Sequence, residues 1–575
     1  MNSKPLSTNP NLVSLLMPYK WWVLLLSILT ILANAMNLIV PQITSHAIDA
    51  YTKGDLVIPN VILEFFLIAL GIFFFTYLQS IVQTYASEIV ARDLRTSLAA
   101  KISVQEYATV EKLTPSKLLT NLTSDVDAVK TFVSQAIASI ISSVFLIIGA
   151  CTLLLLINWR LALVVMLVLP IIAGSFYVVL GRVRKLFMKS QEIIDWLNAV
   201  ISESILGAAL IRLVHSHKTE EAKFADAAQA SKDIGLKIIG YFSLLIPIIT
   251  FFSNIAVLII LSLGGYFVIH GSMSLGDFTA FNNYLLILIF PILVIGFMSN
   301  VIAQATASYA RLSLVLHIED PKDTGTLTNE LSGLIDVKDI SVQYGERKIL
   351  EDVSFEIKPK TKNAIIGPTA AGKTQLLYLL TGLLQPTEGT IKYDNEPLDA
   401  YNKQRLHEQI GFVFQDSIIF NLTLRENIAF STTVKDEDLQ KAIDTAELHD
   451  FLGTLPDGLN TVVSERGTSL SGGQKQRIML ARALALNPKI LLLDDFTARV
   501  DTSTERKILA NVSKNYPDLT LISVTQKIAP IEDYDQIILL MEGEVLVIGT
   551  HKELMETSPE YVQIYDSQKS TENYE

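Results

Sequence analysis

Between residues 367 and 374 the chain reads Gly-Pro-Thr-Ala-Ala-Gly-Lys-Thr. Two glycines five positions apart, then a lysine and a hydroxyl, give the spacing of a backbone loop that wraps a phosphate. Gly367 and Gly372 let the main chain bend around the anion, and the N–H groups of the following helix point at it. Lys373 reaches the β- and γ-phosphates, and Thr374 holds Mg²⁺. Thr369, Ala370 and Ala371 complete the loop, with Ala370 where many such loops carry another glycine. Farther on, Ile490–Leu493 is an aliphatic run ending on Asp494, a carboxylate suited to act as an outer Mg²⁺ ligand facing the loop. Between the two lies Leu470-Ser471-Gly472-Gly473-Gln474, opening a helical run at Lys475–Leu486. That is a second anion-binding helix start. One nucleotide has no use for two cradles in one chain. The surplus makes sense if the second covers the γ-phosphate of a nucleotide bound to another subunit.

The loop needs a strand before it and a helix after it. Asn363–Gly367 reads as a buried strand and Gln375–Thr381 as a helix. From Leu334 onward short β-branched runs alternate with helix-like segments, which is the pattern of an α/β domain. Glu319–Thr328 is polar and carries Pro321 and Gly325, a linker signature. The tail from Ser567 is polar and expected to fray.

The first half of the chain is different. The protein has 575 residues, of which 50% are hydrophobic and 18% charged. Soluble proteins sit near about 25% charged, so the apolar excess must be housed elsewhere. Six runs have the roughly 20 apolar residues that cross a bilayer: Trp21–Val40, Val61–Ile81, Phe132–Ile157, Leu161–Leu180, Tyr241–Ile269 and Phe278–Ala303. The connections after the second and fourth runs hold fifteen Lys and Arg, the opposite ones only Lys53 and Arg160. The basic loops therefore face the cytoplasm, and an even number of spans leaves both termini there. Tyr85–Glu106 and Val183–Ala209 read as helical extensions into the cytosol, and Asn11–Tyr19 as a short interfacial helix. Trp21–Val40 is too long for a cleavable signal peptide. A net charge of −12 argues against nucleic acid. The single cysteine, Cys151, excludes an intrachain disulfide and a cysteine-cluster metal site.

Leu-Ser-Gly-Gly-Gln between the two phosphate-site motifs, after six spans, resembles an ABC exporter half-transporter of the multidrug, lipid or peptide type. The resemblance covers nearly the whole chain. It implies a six-helix all-α transmembrane domain over 1–318, a linker over 319–333, an α/β P-loop nucleotide-binding domain over 334–567 and a tail over 568–575. It implies Tyr344 as the aromatic that stacks on adenine, and Gln415 as the Q-loop residue touching Mg²⁺ and the attacking water. Leu470, Ser471, Gly472, Gly473 and Gln474 become the signature lent to a partner's ATP, and Asp501 the D-loop aspartate. Thr374, Gln415 and Asp494 form the Mg²⁺ set. Val463–Gly467 resembles the segment that contacts coupling helices, which are expected near 115–127 and 207–220. ATP and Mg²⁺ are the implied ligands, and alternating access in the plasma membrane the implied mechanism.

Two positions depart from the family pattern. Asp495 stands where the water-polarising glutamate is usual, and Gln526 where the switch histidine is usual; Ala498 and Arg499 also differ beside the D-loop. One methylene shorter, the carboxylate of Asp495 is pulled back by roughly one C–C bond. Glutamine can hydrogen-bond a phosphate but carries no proton or charge. The signature is intact while the chain's own site is altered twice, which resembles the degenerate-site subunit of a heterodimeric exporter. Its partner would carry Glu and His at those positions. A homodimeric lipid or drug exporter, and an ATP-gated regulatory protein without transport, share the same motifs. The expected substrate is amphipathic or hydrophobic (a drug, lipid or peptide), because the span centres lack acidic residues and offer Asn34, Asn37, Asn254, Asn282, Asn283, Tyr284, Phe290, Phe297, Asn300 and Gln304.

Overall fold

The computed structural model describes residues 11–321, 325–344, 347–464, 467, 469–496 and 500–572, with backbone alone at 344, 502 and 570–572. The chain forms two compact units. One holds the chain up to Ser103 together with Leu113–Glu319; the other holds Val104–Lys112 and the chain from Asp320 onward.

The first unit is helical. Among the described residues, five helices are long and apolar enough to cross a membrane: Leu12–Lys53, Ile58–Ser103, Pro115–Met166, His217–Ile269 and Leu275–Leu316. The fourth expected span, Leu161–Leu180, is divided at Leu167 between two helical segments, and a separate turn sets it off from the third. The chain turns at Asn158, whose φ of −155° and ψ of 100° break the helix. The Oδ1 of Asn158 then accepts from the Leu161 N–H at 3.1 Å, capping a new helix that continues as Val168–Leu206. The helical extensions expected past Tyr85 and Val183 are present, ending at Ser103 and Leu206.

Side-chain hydrogen bonds explain several of the membrane asparagines. Asn34 donates to the Thr30 carbonyl at 2.7 Å and accepts from Ser142 at 3.0 Å, tying the first long helix to the third. Asn37 bonds back to Ala33. Tyr284 is fully buried with its hydroxyl on the Leu38 carbonyl at 2.7 Å. The third long helix contains two wide π turns, Asn121–Asp125 and Phe132–Ala136, which shift the side-chain register. At the end of the first, Asp125 is buried and receives both a bond from Arg311 Nε at 3.1 Å and one from its Nη2.

The second unit is α/β. Six strands run in the order β10 (Glu544–Gly549), β9 (Gln536–Met541), β3 (Lys362–Ile366), β8 (Thr520–Val524), β7 (Ile490–Asp494) and β6 (Ile410–Val413). All neighbours are parallel except β10 with β9. A second, antiparallel sheet orders β2 (Arg347–Ile357), β1 (Ile335–Tyr344), β4 (Glu388–Tyr393) and β5 (Glu396–Pro397). The parallel strands are covered on both faces, so their sequences are apolar without alternation. Period-two geometry divides β7 between two cores. Leu491 and Leu493 face the helices Asp436–Thr445 and Gly472–Leu484; Ile490 and Leu492 face β1, β2 and the helix Lys373–Leu380.

Three boundaries differ from the sequence reading. Residues 115–127 begin the third long helix; a short helix, Tyr107–Leu113, precedes them, and Val104–Lys112 belongs to the α/β unit rather than to the helical one. The segment near 207–220 does contain a short helix, Ala208–Leu213. Much of the expected linker packs on the α/β unit: Leu331 is buried, and its N–H bonds Gln409 Oε1 at 2.7 Å. The tail is helical to Glu572, continuing Pro559–Glu572.

Candidate functional site

Parallel pairing places the important residues on one edge. Ile365 of β3 and Asp494 of β7 both stand opposite Val524 of β8, and Val413 of β6 opposite Leu493. The loop after β3, Asp494–Asp495 after β7, Gln526 after β8 and Gln415 after β6 therefore leave adjacent carboxyl ends, where open α/β sheets bind ligands.

The loop after β3 is shaped by close approach. Gly367 has φ +155°, and a Cβ there would lie 2.0 Å from the Leu540 carbonyl oxygen. Gly372, at φ +94°, would meet Leu350 Cδ2 at 2.6 Å. Ala370 also takes a left-handed conformation, φ +68°, so the position given to glycine in many such loops does demand that geometry here. Strain of about 1–2 kcal/mol is the general cost for a side chain with a Cβ.

Lys373 opens the Lys373–Leu380 helix and is buried. Its ammonium donates to the Gly367 carbonyl at 2.9 Å and to Pro368 at 2.7 Å. Burial pushes its pKa below the ordinary lysine range, opposed by Asp495 and Asp494 nearby. Asp494 is buried, and its Oδ2 has no hydrogen-bond partner among the described residues. Burial raises its pKa; the Thr374 hydroxyl beside it and Lys373 pull the other way. A buried, unpartnered carboxylate oxygen next to a hydroxyl is a hard-oxygen pair suited to Mg²⁺.

Asp495 follows in a left-handed conformation, φ +45°, with its N–H on the Val524 carbonyl at 3.0 Å. Gln526 is exposed beyond Thr525, whose N–H bonds the Ile365 carbonyl at 3.3 Å. Gln415 is exposed, and its carbonyl accepts from Gln476 at 3.2 Å. These residues therefore follow the carboxyl ends of adjacent strands.

The signature residues close on one another instead. Ser471 caps the helix Gly472–Leu484, accepting from the Gln474 N–H at 3.2 Å, while Gln474 Oε1 accepts from the Ser471 N–H at 2.8 Å. Leu470, Gly472 and Gly473 flank that cap. Asp501 caps Thr502–Asn515, accepting from Thr504 N–H at 2.9 Å and Ser503 at 2.7 Å. Those bonds, Ser503 foremost, hold its carboxyl at about 2. Tyr344 ends β1, and its side chain lies outside the described residues, as do Glu465, Arg466, Ala498 and Arg499.

Sequence reasoning missed an aromatic chain beside the site. Tyr107 packs edge-on against Tyr378, ring centroids 5.3 Å apart. Tyr378 touches Phe412 and Phe414 at 5.9 and 6.2 Å, and Phe414 directly precedes Gln415. Burial, then Tyr107, pushes the Tyr378 hydroxyl far above its usual range. The available signal was helical spacing, since Tyr378 lies one turn beyond Thr374.

Comparison with known proteins places these features in context. Residues 23–292 match the ABC transporter transmembrane region, and 350–498 match the ABC transporter domain. The chain is 32% identical to the uncharacterized ABC transporter ATP-binding protein YfiB of Bacillus subtilis, over 98% of this chain and 99% of the relative. It is 29% identical to an ATP-dependent lipid A-core flippase of Syntrophus aciditrophicus, covering 89% and 85% of the two chains. The structure of a bacterial Atm1-family ABC exporter with ATP bound superimposes with a TM-score of 0.78 at 25% identity, covering 96% of this chain and 98% of that one.

Proposed function

This chain belongs to the ABC transporter family as a multi-pass membrane ATPase coupled to transport, and on that premise we propose that it is one half of a two-chain exporter whose own site holds ATP but hydrolyses it poorly. The asymmetry between the two phosphate-facing surfaces carries this reading. Leu470–Gln474, the residues lent to a partner's nucleotide, keep the family pattern, whereas Asp495 and Gln526 do not.

At its own site, Lys373 would release the two loop carbonyls and bind the phosphates, with the N–H groups of its helix. Thr374, Asp494 and Gln415 would hold Mg²⁺, which when bound neutralises charge on the β- and γ-phosphates. A general base must lie within about 3 Å of the proton it takes, and Asp495 falls short by roughly one C–C bond. Gln526 would hydrogen-bond the γ-phosphate without supplying charge. Binding of two nucleotides would then close the two nucleotide-binding domains on each other, the state favoured because each ATP contacts both chains only there.

Export from the cytoplasmic side of a bacterial plasma membrane fits the fifteen basic residues in the two long loops. An amphipathic or hydrophobic substrate fits spans whose centres lack acidic residues, and is in keeping with the lipid A-core flippase among the relatives.

The test is hydrolysis by the full-length chain purified without a partner. It is expected to bind ATP through Lys373 and turn over slowly, with rapid turnover appearing once a subunit carrying Glu and His is added. Rapid hydrolysis by the lone chain, lost in Lys373→Ala, would establish a homodimer with two competent sites instead.

A further inference from the structure

The last helix, Pro559–Glu572, is fixed through one face. Tyr561 is fully buried in the α/β core, with its hydroxyl on His551 Nδ1 at 2.8 Å, and Ile564 and Tyr565 pack beside it. Positions 561, 564, 565 and 568 follow the i, i+3, i+4, i+7 spacing of one helical stripe. The fourth position should be apolar by that pattern. It is Gln568.

The reason lies in what the carboxamide touches. Gln568 Nε2 donates to the Gln526 carbonyl at 2.6 Å, and its Oε1 accepts from the Ile528 N–H at 2.9 Å. One side chain thus spans the backbone on both sides of Lys527, as a neighbouring strand would. The stretch it spans runs from the end of β8 to the short helix Ala529–Ile531, and it carries the switch position. Within the stretch, the Lys527 N–H folds back on Thr525 Oγ1 at 3.1 Å. Gln526 itself is exposed, so its backbone anchor decides where its side chain can reach.

We propose that Gln568 is a positioning residue for Gln526, so that the C-terminal helix sets how well this chain's site recognises the γ-phosphate. The proposal rests on the reading of Gln526 as the switch residue. It assigns the end of the chain a role in telling ATP from ADP.

The test compares Mg-ATP and Mg-ADP binding to the full-length chain carrying Gln568→Ala, Gln526→Ala or both. Only ATP has the group that Gln526 would touch. Gln568→Ala is expected to weaken ATP by about three- to tenfold, the effect of one or two lost hydrogen bonds, and to leave ADP unchanged. The double variant should be no worse than Gln526→Ala, because both act through one contact. Amide exchange should quicken at 526–528 but not in β8. Gln568→Glu, which keeps the acceptor for Ile528 and removes the donor to Gln526, should show the same selective loss. It serves as the second probe if the alanine variant does not fold. Equal weakening of both nucleotides, no weakening, or additivity in the double variant overturns the proposal. If Gln526→Ala itself fails to separate ATP from ADP, the switch reading falls first and the proposal with it.

Discussion

The ring of Tyr107 meets the ring of Tyr378 edge-on, at 5.3 Å between centroids and 64° between planes. The first residue belongs to the short helix Tyr107–Leu113 and the second to the helix that follows the phosphate loop. Beyond Tyr378, Phe414 leads directly to Gln415. Contacts of this kind contribute about 0.5–1.5 kcal/mol beyond simple burial. Tyr107→Ala should therefore slow transport by the assembled exporter while leaving ATP affinity unchanged. A double-mutant cycle with Tyr378→Ala, read in thermal unfolding, should return a coupling of that size. Additive losses would show that the rings do not act together.

Lys373 gives a pH signature. Its pKa lies below the ordinary lysine range because the amine is buried. In the window between the folded and unfolded values the unfolded chain binds more protons, so nucleotide-free stability should rise with pH there. ATP affinity should fall across the same window, since a neutral amine cannot pair with phosphate. Lys373→Arg should move that fall out of range. Lys373→Ala should cost about 1.5–3 kcal/mol of ATP binding, the general value for a hydrogen bond to a charged group. Binding and melting curves taken from neutral pH up to the ordinary lysine range check both slopes.

Ala370 is strained at φ +68°. Ala370→Gly removes about 1–2 kcal/mol of conformational cost and returns about 0.4–1 kcal/mol through the freer unfolded chain. A melting temperature equal to or slightly above the parent is expected. Ala370→Val should lower it clearly, because β-branched residues are outliers at positive φ. The reverse order would mean that the loop relaxes in solution.

Restoring the family residues should raise hydrolysis at this chain's own site. Asp495→Glu with Gln526→His is expected to increase turnover in the two-chain exporter, by up to the about 10²–10⁴-fold typical of a general base. Asp495→Glu alone should also lower the melting temperature slightly, since φ is +45° and aspartate is among the few residues enriched there. An unchanged rate in the double variant would mean that the short carboxylate is not the defect.

Gly296 marks where helices of the membrane unit nearly touch. A Cβ there would lie 1.7 Å from Phe176 Cε1, and Phe297 beside it packs on Phe176 and Phe242. Gly296→Ala is expected to cost about 1–3 kcal/mol through overpacking and to reduce transport without affecting nucleotide binding. Adding Phe176→Leu should restore much of the loss. No effect of Gly296→Ala would indicate that these helices are already apart in the working protein.

Much of this protein is written in local patterns. Long apolar runs can be satisfied only by spanning helices, so the membrane half was legible from hydropathy. The loop Gly367–Thr374 was legible because phosphate wrapping demands glycine and lysine at fixed spacing, and Asp494 because an aliphatic strand must end before a charge can meet solvent or metal. Tertiary structure decided what depends on partners distant in sequence. The pairing of Ile365, Val524 and Asp494 in one register brings Lys373, Asp495 and Gln526 to a common edge, and register is set by core packing on both sheet faces. The fourth span is interrupted at Leu167, between the helical segments that end at Met166 and begin at Val168, which hydropathy alone does not mark. The short helix Tyr107–Leu113 carries a ring that meets Tyr378, 271 positions away, a contact that no local pattern announces. Gln568 looked like part of a polar tail. Only the fold supplies the two backbone groups, 40 and 42 positions away, that give its carboxamide something to hold.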